Sequence, residues 1–124
     1  MDDILPRFKI QAVIAHFGAG YLRECLLLAY KYKIFIDSSG KNSWLRYSGI
    51  PRLKLSDVFE MALEAFGEDR VLFGTDSGYN TPGIRPTVLE MHSQAVKEAI
   101  SNLELKEEVW SKVMGVNAAK FLGI

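Results

Sequence analysis

One stretch constrains this chain more than any other: RVLFGTDS, residues 70–77. Val71, Leu72, Phe73 and Gly74 are apolar or small, as expected of a strand buried on both faces. The run stops at two polar side chains, Thr75 and Asp76. In a parallel α/β protein the carboxyl end of a strand is where ligands bind. An acid there is either a cap for the next loop or a functional carboxylate. Two earlier stretches have the same form. KIQAVIA at 9–15 leads to His16, and IFI at 34–36 leads to Asp37. Strands are therefore expected at about 9–15, 34–37 and 70–74. If they are parallel, His16, Asp37 and Asp76 stand on one rim, with neighbouring strands ~4.8 Å apart.

The segments between them carry helical periodicity. Leu22, Leu26, Ala29 and Tyr30 recur at helical spacing, so a helix is predicted over 21–31, after the turn-forming Gly18 and Gly20. Ser56 is placed to cap a helix over 57–66 with an apolar stripe of Val58, Met61, Ala62 and Ala65, closed by Gly67. After a loop holding Gly78, Pro82 and Gly83, a helix starts near Pro86, with Thr87 as cap and Glu90 in the capping-box position, and runs to Asn102. A helix over 106–114 should end at Gly115, and Asn117 should cap a last short helix closed by Gly123. Strand, helix, strand, helix, strand, then helices: two successive crossovers imply an α/β fold with a parallel sheet.

Composition narrows the function classes. Fifteen basic residues balance fifteen acidic ones in 124 residues, which leaves no positive excess for a phosphate backbone and argues against nucleic acid as a partner. At 48% hydrophobic and 24% charged, the chain has the make-up of one ordinary globular domain, residues 1–124. No apolar run approaches the ~20 residues of a membrane span, so no membrane partner is expected. The start, Met1-Asp2-Asp3, is acidic and unlike a secretory signal. A single cysteine, Cys25, sits in an apolar helical stretch and reads as a buried, inert thiol. Together these point to the cytoplasm.

AHFG at 15–18, IFIDSSG at 34–40, VLFGTD at 71–76 and NAAKFLG at 117–123, in that order, resemble the amidohydrolase-related family. Its members include metal-dependent hydrolases and enzymes of the aminocarboxymuconate-semialdehyde decarboxylase type. The resemblance runs from about Pro6 to Ile124 and implies a partial (β/α)8 TIM barrel. The His16, Asp37 and Asp76 strands would be its sixth, seventh and eighth. It also implies that Asp76 binds a divalent metal, zinc first among the candidates, or takes a proton from water. It casts His16 as a second ligand or water-activating group. A full barrel takes ~250 residues, and the family's first-strand His-x-His pair and fifth-strand histidine or lysine have no counterpart here. The chain thus resembles the C-terminal half of such a barrel, expected to self-associate or to pair with a chain supplying the rest.

The chemistry is legible beside the resemblance. A catalytic zinc takes about three protein ligands plus water, and His and Asp are suitable donors. His16 could instead bond only its loop, and Asp76 could cap the Ser77 turn. Asp37 is a candidate substrate-binding residue and equally a turn aspartate accepting the amides of Ser39 and Gly40. Trp44 and Tyr79 lie in rim loops and are candidates for lining a substrate pocket, as Arg85 is for holding a substrate carboxylate. His92 reads as an ordinary helix residue and Trp110 as core. The expected function is metal-dependent hydrolysis of a small polar substrate at a C–N or C–O bond, with decarboxylation behind it. The alternative is a catalytically silent half-barrel module. A flavodoxin-like binder ranks last, since no phosphate-cradling glycine motif follows the first strand.

Overall fold

The computed structural model describes residues 4–8, 10–49, 53–78 and 85–124. Three short strands, β1 (Val13–Ile14), β2 (Phe35–Asp37) and β3 (Val71–Leu72), form a parallel sheet in the order β1-β2-β3. Val13 stands opposite Phe35, and Ile36 opposite Val71. Helices α1 (Leu22–Lys31) and α2 (Leu55–Phe66) make the two crossovers. α3 (Pro86–Asn102) packs on α2, and α4 (Glu108–Ser111) and α5 (Asn117–Leu122) close the chain.

The strands are shorter than the apolar runs that announce them. β2 begins at Phe35, whose amide donates to the Ala12 carbonyl at 2.9 Å, so among the described residues the pairing of β1 with β2 starts at Ala12. Lys9 lies outside the described residues. At the rim, β1 ends because His16 and Phe17 take left-handed backbone, φ 56° and 51°, and turn the chain away.

One apolar core unites the layers. Ile34, Ile36 and Val71 from the sheet region meet Val58, Phe59, Ala62 and Phe66 of α2, Ala29 of α1, and Val96 and Ala99 of α3. The buried face of α2 is rotated from the expected stripe: Phe59, Leu63 and Phe66 are buried, while Met61 and Ala65 only border the core. Cys25 is buried and free, and burial pushes its thiol pKa up, with Glu24 adding to the effect.

Three helix boundaries differ from those expected. α2 starts at Leu55, earlier than expected: Lys54 is the N-cap, its amide donates to Asp57 Oδ2 at 2.7 Å, and Ser56 is a buried helical residue. In α3 the N-cap is Arg85 and Pro86 is the first helical residue, so Thr87 lies inside the helix. Proline's fixed φ suits that first position and its missing N–H costs nothing there. Gly115 ends nothing, because α4 runs through a wide turn, Lys112–Val116, directly into α5. Asn117 therefore cannot cap. Its side chain, 1% exposed, donates instead to the carbonyls of Glu68 and Val71 at 2.8 and 3.0 Å and ties α5 to β3. Gly67 and Gly123 do close their helices, both with positive φ.

Candidate functional site

The rim is built by three turns that leave the sheet. After β1, residues 16–20 all have positive φ. For the bulky Phe17 this conformation is an outlier. It is held by a buried ring packed edge-on to Phe59 at 5.1 Å, and by the His16 amide donating to Asp37 Oδ1 at 3.0 Å. After β2 the chain passes through Ser38, Ser39 and Gly40. After β3, residues 73–78 lack regular structure, and Asp76 sits at φ 55°, a region that aspartate tolerates better than most residues.

These turns bring His16 and Asp76 to one place. A methyl group placed on Gly40 would lie 3.6 Å from both His16 Nδ1 and Asp76 Oδ2. Around that point opens a cleft of about 300 Å³, lined by His16, Ser39, Gly40, Lys41, Trp44, Asp76 and Arg85 among others. Four of the six site residues singled out from sequence thus share one cleft: His16, Asp76, Trp44 and Arg85. His16 is half-buried and Asp76 exposed. Trp44 donates its indole N–H to Asn42 Oδ1 at 3.0 Å, which fixes the ring at the cleft wall. Asp37 stands behind the cleft. Its Oδ1 accepts the amides of His16 and Ser39, at 3.0 and 2.9 Å, and the Ser39 hydroxyl. Tyr79 lies outside the described residues. A larger hollow, about 640 Å³, lies between α3 and α4 against Trp110 and Leu105, away from these side chains.

A second layer supports the rim and escaped the sequence reading. His92 of α3 is fully buried. Its Nδ1 meets Ser38 Oγ at 2.9 Å and its Nε2 meets the Gly40 carbonyl at 2.9 Å. Edge-on contacts to Phe59 and Phe73, at 5.9 and 5.5 Å between ring centres, enclose it. Burial lowers its pKa, and the Gly40 carbonyl only partly offsets this. Asn42 Nδ2 donates to the carbonyls of Ser38 and Gly40, at 2.8 and 3.2 Å. The signal was in the spacing. Val88, His92, Ala95, Val96 and Ala99 form the buried stripe of α3, so His92 occupies a core position. Likewise Ser38 falls two residues after Ile36, on the same inward face.

As donors for a metal, His16 offers imidazole nitrogen and Asp76 carboxylate oxygen, the atom types that zinc-like ions take. Among the described residues no three His, Cys, Asp or Glu side chains gather closely enough to hold an ion together. The rim therefore suits such an ion in donor chemistry while supplying two of the roughly three ligands that a catalytic centre uses. Among the described residues no helix is long and apolar enough to cross a membrane.

Comparison with curated proteins gives no match, and neither does comparison with solved structures. Comparison with protein families does: the amidohydrolase family matches residues 1–124, the whole chain. With His16 and Asp76 converging on one rim of a parallel sheet and the family pattern covering every residue, the chain belongs to the amidohydrolase family.

Proposed function

We propose that the chain carries the His16–Asp76 side of a metal-dependent hydrolase site. It acts on a small polar substrate at a C–N or C–O bond, and the rest of a (β/α)8 barrel comes from other β/α units. The observation that carries this is the convergence of His16 and Asp76 on the Gly40 cleft, in a family that is generally metal-dependent. When bound, a zinc-type ion lowers the pKa of water to ~7 and polarises a carbonyl. His16 and Asp76 are the residues of this chain that hold it. Asp76, exposed at the mouth, is also placed to take the proton from the attacking water. Lys41 and Arg85 bring positive charge to the cleft, and Trp44 gives it an apolar wall.

Pairing with further β/α units is supported by the sheet itself. Among the described residues β1 and β3 each have a strand neighbour on one side only, and open edges invite pairing. Ile4, Phe8 and Ile10, leading into β1, are each more than half exposed. Two copies of the chain, or one copy and a complementary chain, would cover them. The buried Cys25 thiol suits a reducing cytoplasm.

The test is a screen of small amides, esters and lactones with zinc supplied, on the native assembly, with the active species sized by sedimentation. Asp76→Asn and His16→Gln should each lower turnover by at least ~100-fold. A fall under about tenfold in both would overturn the assignment. Hydrolysis of nothing in the panel by any assembled species would favour a catalytically silent half-barrel module.

A further inference from the structure

The chain's two histidines grip the same three-residue loop from opposite sides. Their hydrogen-bond partners dictate where each ring carries its proton. A carboxylate oxygen only accepts, so the Ser39 hydroxyl gives its single proton to Asp37 Oδ1. That hydroxyl oxygen also lies 2.9 Å from His16 Nδ1, and with its proton already committed it can only accept there. The Ser39 carbonyl oxygen, 3.0 Å from the same Nδ1, can only accept as well. Two acceptors meet at Nδ1, so Nδ1 holds the hydrogen, and in the neutral ring Nε2 is left with the lone pair. At His92 the same logic gives the opposite answer. The Gly40 carbonyl accepts from Nε2, so Nε2 is protonated and Nδ1 takes the Ser38 hydroxyl proton.

We propose that Ser39, backed by Asp37, is a positioning residue that holds His16 in the Nδ1–H tautomer with the lone pair on Nε2. Its use in catalysis rests on the hydrolase reading above. There it means that His16 begins the reaction as an acceptor, binding a metal or receiving a proton, and not as an acid. Imidazoles that ligate metals are oriented in this way, by giving their other N–H to a carbonyl or carboxylate-linked group. The arrangement also explains why the strained left-handed turn at His16 persists. The His16 amide is bound by Asp37 while the ring is bound by Ser39, so two groups of one loop fix both ends of the residue.

Because the chain has only two histidines, long-range ¹H–¹⁵N correlation spectra of ¹⁵N-histidine-labelled protein at about pH 8, where unperturbed imidazole is neutral, resolve the question directly. The wild type should show one Nδ1–H ring and one Nε2–H ring. Ser39→Ala removes one of the two acceptors at Nδ1 and keeps the carbonyl, so the first ring should stay mainly Nδ1–H but gain some Nε2–H population, and the second should stay in place. Ser38→Ala should disturb only the second. Two Nε2–H rings in the wild type would overturn the proposal, and a His16 pattern indifferent to Ser39→Ala would overturn the hydroxyl's part in it, leaving the Ser39 carbonyl as the group that holds the tautomer. The wild-type spectrum decides the first point even if a variant does not fold. The spectrum also reports the proton's position whether or not the protein turns over a substrate, so failure of the hydrolase reading and failure of this one appear in different measurements.

Discussion

The inner and outer sides of the Ser38–Ser39–Gly40 loop each carry a histidine bonded to a serine and differ in water and in charge, since the two carboxylates, Asp37 and Asp76, stand only on the outer side. On the inner side His92, Ser38 and Asn42 are buried and bonded to one another's loop, with Phe59 and Phe73 as walls. On the outer side His16 is half-buried, Asp76 exposed, and a cleft stands open between them. A buried imidazole with both nitrogens committed is a fastener. A half-exposed one with a single nitrogen committed retains a working group. The comparison teaches that residue type alone did not separate the two histidines: the depth of the helix face did.

The largest break in that comparison should come from His92→Leu. Leucine roughly fills the volume but leaves the Gly40 carbonyl and the Ser38 hydroxyl without their ring partners in a dry site. The Gly40 carbonyl keeps Asn42 Nδ2 at 3.2 Å, so at ~1–3 kcal/mol for the Ser38 hydroxyl left unpaired and ~0.5–1.5 kcal/mol for the hydrogen bond lost at the carbonyl, the fold should lose about 1.5–4.5 kcal/mol. His16→Gln on the open side should cost under ~1 kcal/mol, since water can replace what is lost there. Urea midpoints of the two variants at a constant m-value give the answer. Equal losses would mean that the two sides are not mechanically distinct.

Gly40→Ala probes the loop between the two sides. Gly40 sits at φ +80°, where a Cβ is strained, while the nearest atoms to an added methyl, on Asp76 and His16, are at ordinary contact distance, 3.5–3.6 Å. The cost should therefore be backbone strain alone, ~1–3 kcal/mol, smaller than the His92→Leu effect and measured in the same way. A neutral Gly40→Ala would show that the loop relaxes freely and that His92 is not its fixed point.

Much of this was legible in the sequence, for identifiable reasons. The three apolar runs ending in His16, Asp37 and Asp76 gave the parallel sheet and its rim, because strand burial and polar termination are local signals. Proline at Pro86 and glycine at Gly67 and Gly123 marked helix ends through backbone geometry, which composition carries directly. The expected caps misled for different reasons: Asp57 accepts the Lys54 amide and starts α2 before Ser56, Pro86 takes the first position of α3 ahead of Thr87, and the Asn117 side chain is drawn to a tertiary partner. Asn117 is the plainest case, since its amide serves β3, distant in sequence. The Asp37–Ser39 contact was expected from the turn, where an aspartate accepts the amide two residues on, but its extension to His16 was hidden for the same reason. It depends on which atoms of two separate strands' turns come within hydrogen-bond reach, and no spacing rule encodes that.

The smallest expected effect is also the most selective for the inner side. Burial depresses the His92 pKa in the folded protein, while in the unfolded chain it titrates near ~6.5. Between those two values the unfolded chain binds a proton that the folded one refuses, so stability rises with pH there. The contribution is complete above about pH 6.5, is lost as pH falls towards the folded value, and does not decline further below it. Among the described residues the groups bonded to or stacked on the ring are Ser38, Gly40, Phe59 and Phe73, none of them charged. Unfolding free energies measured between about pH 7.5 and 5, above the ordinary carboxylate range, should fall with a slope of at most ~1.4 kcal/mol per pH unit for this one proton. His92→Gln keeps a donor for the Gly40 carbonyl and has nothing to titrate, so its profile should be flatter by that amount. If the His92→Gln profile kept the wild-type slope, the proton-sensitive element would lie elsewhere in the molecule, and the reading of His92 as a dry, neutral fastener would have to be given up.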